Sequence, residues 1–316
     1  MLKQKNNLSI ETYITKLNYR MKKVFFALIS CLLITSLAKA QLEKRGIQDY
    51  LDSYAGENAV PYVQPLADIL TSNINTGIWD WSAIPDKFYL RLKLQGMMSF
   101  PDESMRTFTG RTTGDFRPEQ SMTVPTIIGD QNATVLQGDN NEVYIFPGGY
   151  DLDQITLGTP QVTVGGFLNS EVSGRFLSFR LSDDVGRVHF YGLGARHSLT
   201  GYFDNPPIDF SVGYFYHHIE AGTYLNSDQH LVSAMLGKSG KIFSGHFGIG
   251  YQTSTSDVHY TFDDGDEQFN VDLDLENNNP WIVEAGLGLK LGPLFASTAV
   301  SYARHPTVSA GVGLSF

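Results

Sequence analysis

Three groups of residues in this chain have types that could do chemistry: His197 with Ser198, His217 with His218, and the acidic run Asp263, Asp264, Asp266, Glu267, Asp272, Asp274 and Glu276. A histidine beside a serine could activate a nucleophile, and two histidines could hold a metal. Both pairs lie in segments that alternate like strands, where neighbouring residues point to opposite faces, so neither pair can converge on one substrate or ion. The acidic run could chelate calcium, which takes six to eight oxygens, but it lacks the spacing of a calcium loop and reads as a solvated charge run. A Gly-x-Ser-x-Gly elbow, a phosphate loop and a His-Glu-x-x-His helix are all missing. The sequence therefore predicts no catalytic residue, no metal and no cofactor, and the chain is not expected to be an enzyme.

The remaining polar side chains recur at every second position of otherwise apolar segments. Arg91, Lys93, Gln95, Arg180, Arg196, Asp209, His246, Gln252, Glu284 and Lys290 are expected on the inner face of a closed sheet. Charge is tolerable there only if the interior is wet or opposite charges pair. Two functions fit. One is a mildly cationic constriction that passes anionic or polar solutes. The other is a salt-bridged barrel held shut, with Glu284 and Asp209 paired to arginines.

The elements that would position them are short and regular. Residues 87–100 place Phe88, Leu90, Leu92, Leu94, Met98 and Phe100 on one face and Tyr89, Arg91, Lys93 and Gln95 on the other. Further strands are predicted at 161–169, 172–181, 188–199, 208–218, 229–238, 242–255, 281–291, 294–303 and 307–316. Their lengths suit the roughly 9–11 residues of a tilted membrane crossing. The predicted class is all-β: an antiparallel transmembrane β-barrel of about ten strands over 87–316, with a short helical N-terminal segment. Counting back from a periplasmic C-terminus, three of four periplasmic turns are short, while 101–160 and 256–280 become long extracellular loops. Extra strands at 122–128, 133–137 and 142–146 would raise the count to 12–14 or form an external cap.

Composition agrees with export. Residues 1–20 read as an upstream extension and 21–40 as a secretory signal: Lys22 and Lys23, an apolar stretch, then Ala38-Lys39-Ala40 before the cut. The single Cys31 would leave with it, so the mature chain has no thiol for a disulfide or a thiolate metal site. Removing residues 1–40 takes seven of 23 Lys/Arg and one of 33 Asp/Glu, so 16 basic residues face 32 acidic and the net charge moves from −10 to −16. So acidic a chain is not expected to have a nucleic-acid partner. Its expected partners are outer-membrane lipids and, through the last strand, the barrel-assembly machinery.

Residues 41–86 are not strand-like and read as a periplasmic plug or hatch. Tyr62, Leu66, Ile69 and Leu70 share a helical face, and Pro61 and Pro65 predict short helical pieces. A ten-strand lumen is only slightly wider than one filled by side chains, so this face is expected at the periplasmic mouth, with Trp79 and Trp81 near the membrane boundary.

The closing residues Gly311, Leu314 and Phe316 resemble the sorting signal of Gram-negative outer-membrane barrels. The run Arg175 to Leu199, most specifically Gly194-Ala195-Arg196-His197-Ser198, together with Pro207 to Gly213 and Ser309 to Phe316, resembles an uncharacterised bacterial family of such barrels, known only as a domain of unknown function. The resemblance implies a barrel and an outer-membrane address and carries no established substrate. A second similarity is to long-chain fatty-acid transporters, which also set a helical hatch before the barrel. A passive channel or transporter for a small solute or hydrophobic compound is thus the leading expectation. A structural or surface-binding barrel is the alternative, and a barrel-embedded lipid hydrolase a remote one.

Overall fold

The computed structural model describes residues 56–114, 116–139, 143–182, 186–263 and 268–316. Residues 1–55, with the expected extension, signal, Cys31 and the start of the plug, lie outside the described residues. In chain order, helix α1 (Ala59–Ile74) precedes β1 (Tyr89–Ser99). Two hairpins follow, β2 (Thr107–Arg111) with β3 (Ser121–Pro125) and β4 (Thr134–Gln137) with β5 (Val143–Phe146). Then come β6 (Ile155–Phe167), β7 (Ser170–Ser182), β8 (Gly186–Ser198), β9 (Asp209–Ala221), β10 (Leu225–Ser239) and β11 (Phe243–Asp263). The last are β12 (Gln268–Glu276), β13 (Trp281–Leu291), β14 (Leu294–Tyr302) and β15 (Pro306–Ser315).

Ten strands, β1, β6 to β11 and β13 to β15, close into an antiparallel barrel. Closure is made by β1, which pairs with β6 on one side and β15 on the other. The seam is finished by Leu90 N–H donating to the Phe316 carbonyl at 3.1 Å and Phe316 N–H returning to Leu90 at 2.9 Å. Full closure leaves no unpaired strand edge, the condition for sitting in hydrocarbon. Every barrel strand named from the sequence is present.

Period-two patterning decides which face is which. Along β1 the odd residues Tyr89 to Ser99 are buried inside, while Leu90, Leu92, Leu94 and Met98 look outward. The outer face is apolar on β13 to β15 as well, where Val283, Leu287, Val300, Val308 and Val312 are exposed. Exposed aromatics stand at strand ends, Phe88, Phe203, Phe243 and Phe316 at one rim and Trp281 and Tyr302 toward the other, with others such as Phe176 and Tyr191 within strands. Such an apolar wall between aromatic girdles is the exterior of a membrane barrel.

One end of the barrel has short connections. Two of them are two-residue turns, Gly292-Pro293 and Leu168-Asn169, and in the latter both residues have positive φ, 49° and 54°. The other end carries the long ones. Here β2 to β5 lie outside the barrel and form a cap, so the sequence's extra-strand candidates at 122–128, 133–137 and 142–146 add nothing to the wall. The loop expected at 256–280 is largely strand: β11 runs on past the barrel, beyond the strand predicted at 242–255, and pairs with β12.

Two expectations for the N-terminal segment are overturned. The proline spacing predicts helical fragments, yet α1 is one 16-residue helix with Pro65 inside it. Pro61 falls in the first turn, where the missing N–H has no helical partner to lose, so only Pro65 removes a bond, at a cost of about 3 kcal/mol. Burial of Tyr62, Val63 and Ile69 against Met105, Ile128, Phe146 and Leu275 at the long-loop end offsets this. The helix also sits at the opposite end of the barrel from the expected one. It packs beneath the cap, with Tyr62 donating to the Gly148 carbonyl at 2.9 Å and Gln64 to the Glu276 carbonyl at 2.7 Å. The expectation placed Tyr62, Leu66, Ile69 and Leu70 at the short-turn mouth; Tyr62 and Ile69 instead form the cap's core, with Leu66 partly buried against it.

Candidate functional site: the plugged lumen

From Asn75 the chain leaves helical conformation and descends through the barrel to Ser82, then enters β1 from the short-turn end. Near the long-loop end, Asn73 donates to Ser99 at 2.9 Å and Asn75 to Gln252 at 3.2 Å. At the short-turn end, Ser82 donates to Asp209 at 2.7 Å and Ala83 N–H to Ser239 at 3.0 Å. The narrow lumen predicts that the whole of 41–86 does not thread inside, and the stretch 75–82 does. The last turn of α1 reaches the inner wall at Ser99 and Ser254, and the non-helical chain beyond it passes because the wall's inner positions are small: Ser173, Gly213, Ser244, Ser254, Gly288, Ser301 and Ser309.

Trp79 and Trp81 are buried in this passage, inside the barrel rather than on the outer face where an interfacial belt would stand. Gly213 and Gly288 make room for them: a Cβ at Gly213 would stand 2.8 Å from the Trp79 ring, and one at Gly288 would stand 2.7 Å from that of Trp81. Trp79 also meets the edge of Phe215 at 5.9 Å and lies under the Arg196 guanidinium at 5.3 Å.

The plug's turning point is Gly77, whose φ of +63° lies in the left-handed region that favours glycine. Three charged wall residues converge on it. Its N–H donates to Glu284 at 2.7 Å, and its carbonyl accepts from Lys93 at 2.9 Å and Arg175 at 3.0 Å. Arg175 also donates to the Ile74 carbonyl at 2.6 Å and to Gln161 at 2.8 Å, while Gln161 holds the Ile78 carbonyl at 2.9 Å. Lys93 closes a salt bridge to Asp80 at 2.5 Å, with both side chains almost wholly buried. A second centre is Glu171, which takes Arg196 at 2.7 Å, Arg91 at 3.8 Å and the Tyr89 hydroxyl.

Of the lumen residues named from the sequence, Arg91, Lys93, Gln95, Arg196, Asp209, His246, Gln252, Glu284 and Lys290 stand on the inner face. Arg180 does not. It is exposed on the outward-facing positions of β7, and Arg175 is the lumen arginine of that strand. The misassignment has a cause. Leu177 and Phe179 take the inner positions near the long-loop end because Ile74 of the plug offers them an apolar partner, which reverses the usual reading of that stretch. The pairing expected for Glu284 and Asp209 is also different. Glu284 holds the Gly77 N–H and His246 at 3.4 Å, and Asp209 holds Ser82 and the Ser239 N–H, neither using an arginine.

The pairs singled out for chemistry separate as strand geometry demands. His197 faces outward with Ser170 at 2.8 Å and Tyr202 at 3.2 Å, whereas Ser198 turns inward and accepts from the Gly201 N–H at 3.1 Å. His218 faces outward with Asp228 at 2.9 Å. His217 is wholly buried between Phe190 and Phe215, with neither ring nitrogen hydrogen-bonded. Of the acidic run, Asp272, Asp274 and Glu276 are exposed on one face of β12, and 264–267 lie outside the described residues.

At the long-loop end, Asp68 of α1 ties the helix to the turn before β13, accepting from Asn278 N–H and Asn279, each at 3.1 Å, and from Gln64 at 2.8 Å. Burial raises its carboxyl above the ordinary value, against the hydrogen bonds that lower it.

A closed ten-stranded barrel, apolar outside and polar and filled inside, defines a β-barrel of the outer-membrane type. The chain belongs to the Family of unknown function (DUF6588), whose sequence model matches residues 21–316. In the closing strand shared with that resemblance, Gly311 faces inward beside Gln95, Leu314 faces outward, and Phe316 is exposed at the rim. No curated protein matches the chain. Among solved structures it is similar to the outer membrane protease OmpT from Escherichia coli, at 8% identity over 77% of this chain and 99% of that one, with a TM-score of 0.34. It is also similar to the beta domain of the Bordetella autotransporter BrkA (9%, 72% and 99%, 0.33). A third is the translocator domain of NalP from Neisseria meningitidis (9%, 79% and 94%, 0.29).

Proposed function

We propose that this protein is an outer-membrane barrel held closed by its own N-terminal segment, with the cap and the β11–β12 extension on the outer surface. The observation that carries this reading is the convergence of Lys93, Arg175 and Glu284 on Gly77: the lumen charges that could line an ion path instead hold backbone and Asp80. Buried charges engaged in this way stabilise one arrangement of the chain rather than a pathway, because breaking either partner leaves a desolvated charge. The reading assigns no catalytic residue and no cofactor. Export would use the 21–40 signal, membrane insertion would go through β15 and the assembly machinery, and lipid would surround the apolar wall.

Solute passage is the second reading and requires the plug to move. It is favoured by a polar seam between plug and wall, where Asn75, Gln95, Gln229 and Ser309 each keep a buried oxygen without a hydrogen bond. Conductance of the purified protein in planar bilayers separates the two. The closed reading expects no steady current from the wild type and flickering openings from a Lys93→Met, Arg175→Met double variant. A stable wild-type conductance would overturn it in favour of an open channel. Uptake of a solute by liposomes without steady conductance would support the moving plug.

A further inference from the structure

The outer wall carries a groove that the plug does not account for. It lies toward the short-turn end across β10, β11, β13 and β14, has a volume of about 460 Å³, and is lined mainly by apolar atoms. Its position follows from one cross-strand row, Lys238 opposite Gly245, Gly245 opposite Leu287, and Leu287 opposite Thr298. Gly245 and, one row nearer the rim, Ala296 are small where Phe243, Leu287 and Leu289 beside them are bulky. Inner-face glycines such as Gly213 and Gly288 are explained by the tryptophans behind them. Gly245 is not. A Cβ there would meet only Leu287, at an ordinary 3.6 Å.

Lys238 stands exposed at the groove's edge, one ammonium proton donated to the Pro206 carbonyl at 2.8 Å. Its other two protons are free to meet an anion. The volume falls within the roughly 300–1,000 Å³ of small-molecule sites. We propose that this groove binds one anionic glycerophospholipid of the short-turn leaflet, an acyl chain lying over Gly245 and Ala296 and the phosphate resting on Lys238. The proposal rests on the membrane reading above. Hydrocarbon neighbours surround a lipid tail anywhere in the bilayer, so burial alone gives no preference for this place. Preference comes from shape, which the small residues supply, and from the Lys238 cation at the groove's edge, whose attraction to phosphate weakens as salt rises.

Native mass spectrometry of the full chain in neutral detergent, with phosphatidylglycerol or phosphatidylcholine added, tests this. The wild type should retain one phosphatidylglycerol at least several-fold better than phosphatidylcholine. Gly245→Leu, which fills the groove from outside, should lose both, and Ala296→Leu is a second filling variant if the first fails to assemble. Lys238→Gln should keep a lipid but lose the preference for the anionic one. Retention of the two lipids alike by all variants, or by none, would overturn the site. Insertion into liposomes is measured in parallel: a chain that inserts without retaining lipid refutes only the groove, whereas a chain that does not insert refutes the membrane reading itself.

Discussion

The Gly77 N–H donates to the Glu284 carboxylate at 2.7 Å across 207 residues of sequence, and that bond joins the plug to β13, three strands round the wall from β1. Lys93 of β1 takes the Gly77 carbonyl, so two separate strands of the wall hold the plug at one residue. Gly77→Ala should be disruptive for two reasons. Its positive φ costs about 1–2 kcal/mol for any L-residue, and its Cβ would fall 2.7 Å from the Gln95 amide nitrogen. Thermal unfolding in detergent, followed by near-ultraviolet circular dichroism, should show a lowered midpoint and weakened signals from the buried Trp79 and Trp81.

Lys93→Met leaves Asp80 buried without its cation and should cost about 3–5 kcal/mol, while Lys93→Met with Asp80→Leu should recover much of it. The recovery is the informative part. Denaturant unfolding of the two singles and the double gives the coupling, and a double variant as unstable as the sum of the singles would mean that the pair does not interact.

Gly288→Ala should push Trp81 from the wall and destabilise by about 1–3 kcal/mol through overpacking. Trp81→Leu in the same chain should relieve most of that loss. Fluorescence of Trp81 is the direct readout, since displacement toward the lumen seam changes its environment.

His305, in the turn between β14 and β15, is wholly buried, and burial with the neighbouring Arg304 charge lowers its pKa to about 4 against the opposing pull of Asp102. The unfolded chain protonates this ring near 6.5 and the folded chain only near 4, so stability is unaffected above about pH 6.5 and falls as pH drops from there toward 4. The loss should approach about 3 kcal/mol, given 1.36 kcal/mol per unit. His305→Gln should flatten the pH dependence of the unfolding midpoint within that window. Asp68 moves the opposite way, its raised carboxyl favouring the folded state at acid pH, so the comparison is made in parallel with Asp68→Asn.

Helix α1 begins at the long-loop end, where Asn58 exchanges hydrogen bonds with Arg111 of the cap at 2.7 and 3.0 Å. A membrane-impermeant maleimide should therefore label Glu57→Cys on intact cells and leave Asn169→Cys, in a short turn, unlabelled until the membrane is opened. Labelling of both or the reverse pattern would contradict the assigned orientation.

Nitroxides at Leu90, Leu287 and Val312 should report contact with hydrocarbon, and one at Ser297, whose hydroxyl reaches Asp80 at 2.9 Å inside, should not. Uniform water exposure at the first three would argue for a soluble barrel.

The barrel wall was legible in the sequence because each strand carries its own instruction: side chains alternate with a period of two, and Leu90, Leu92 and Leu94 declare their face without reference to any partner. The short turns and long connections added an independent sense of direction. What decided the plug was different in kind. Nothing local to residues 75–82 says that they run through the barrel, because the room for them is made by glycines and serines scattered from Ser173 to Ser309, which become neighbours only when the sheet closes. The same closure turned Leu177 and Phe179 inward to meet Ile74 and left Arg175 rather than Arg180 in the lumen. It also drew Lys93, Arg175 and Glu284, on three strands, onto one glycine. Strand identity is a property of adjacent residues and survives in a single sequence. The content of the lumen is a property of the closed sheet, where the summed volume of distant side chains determines what else can fit.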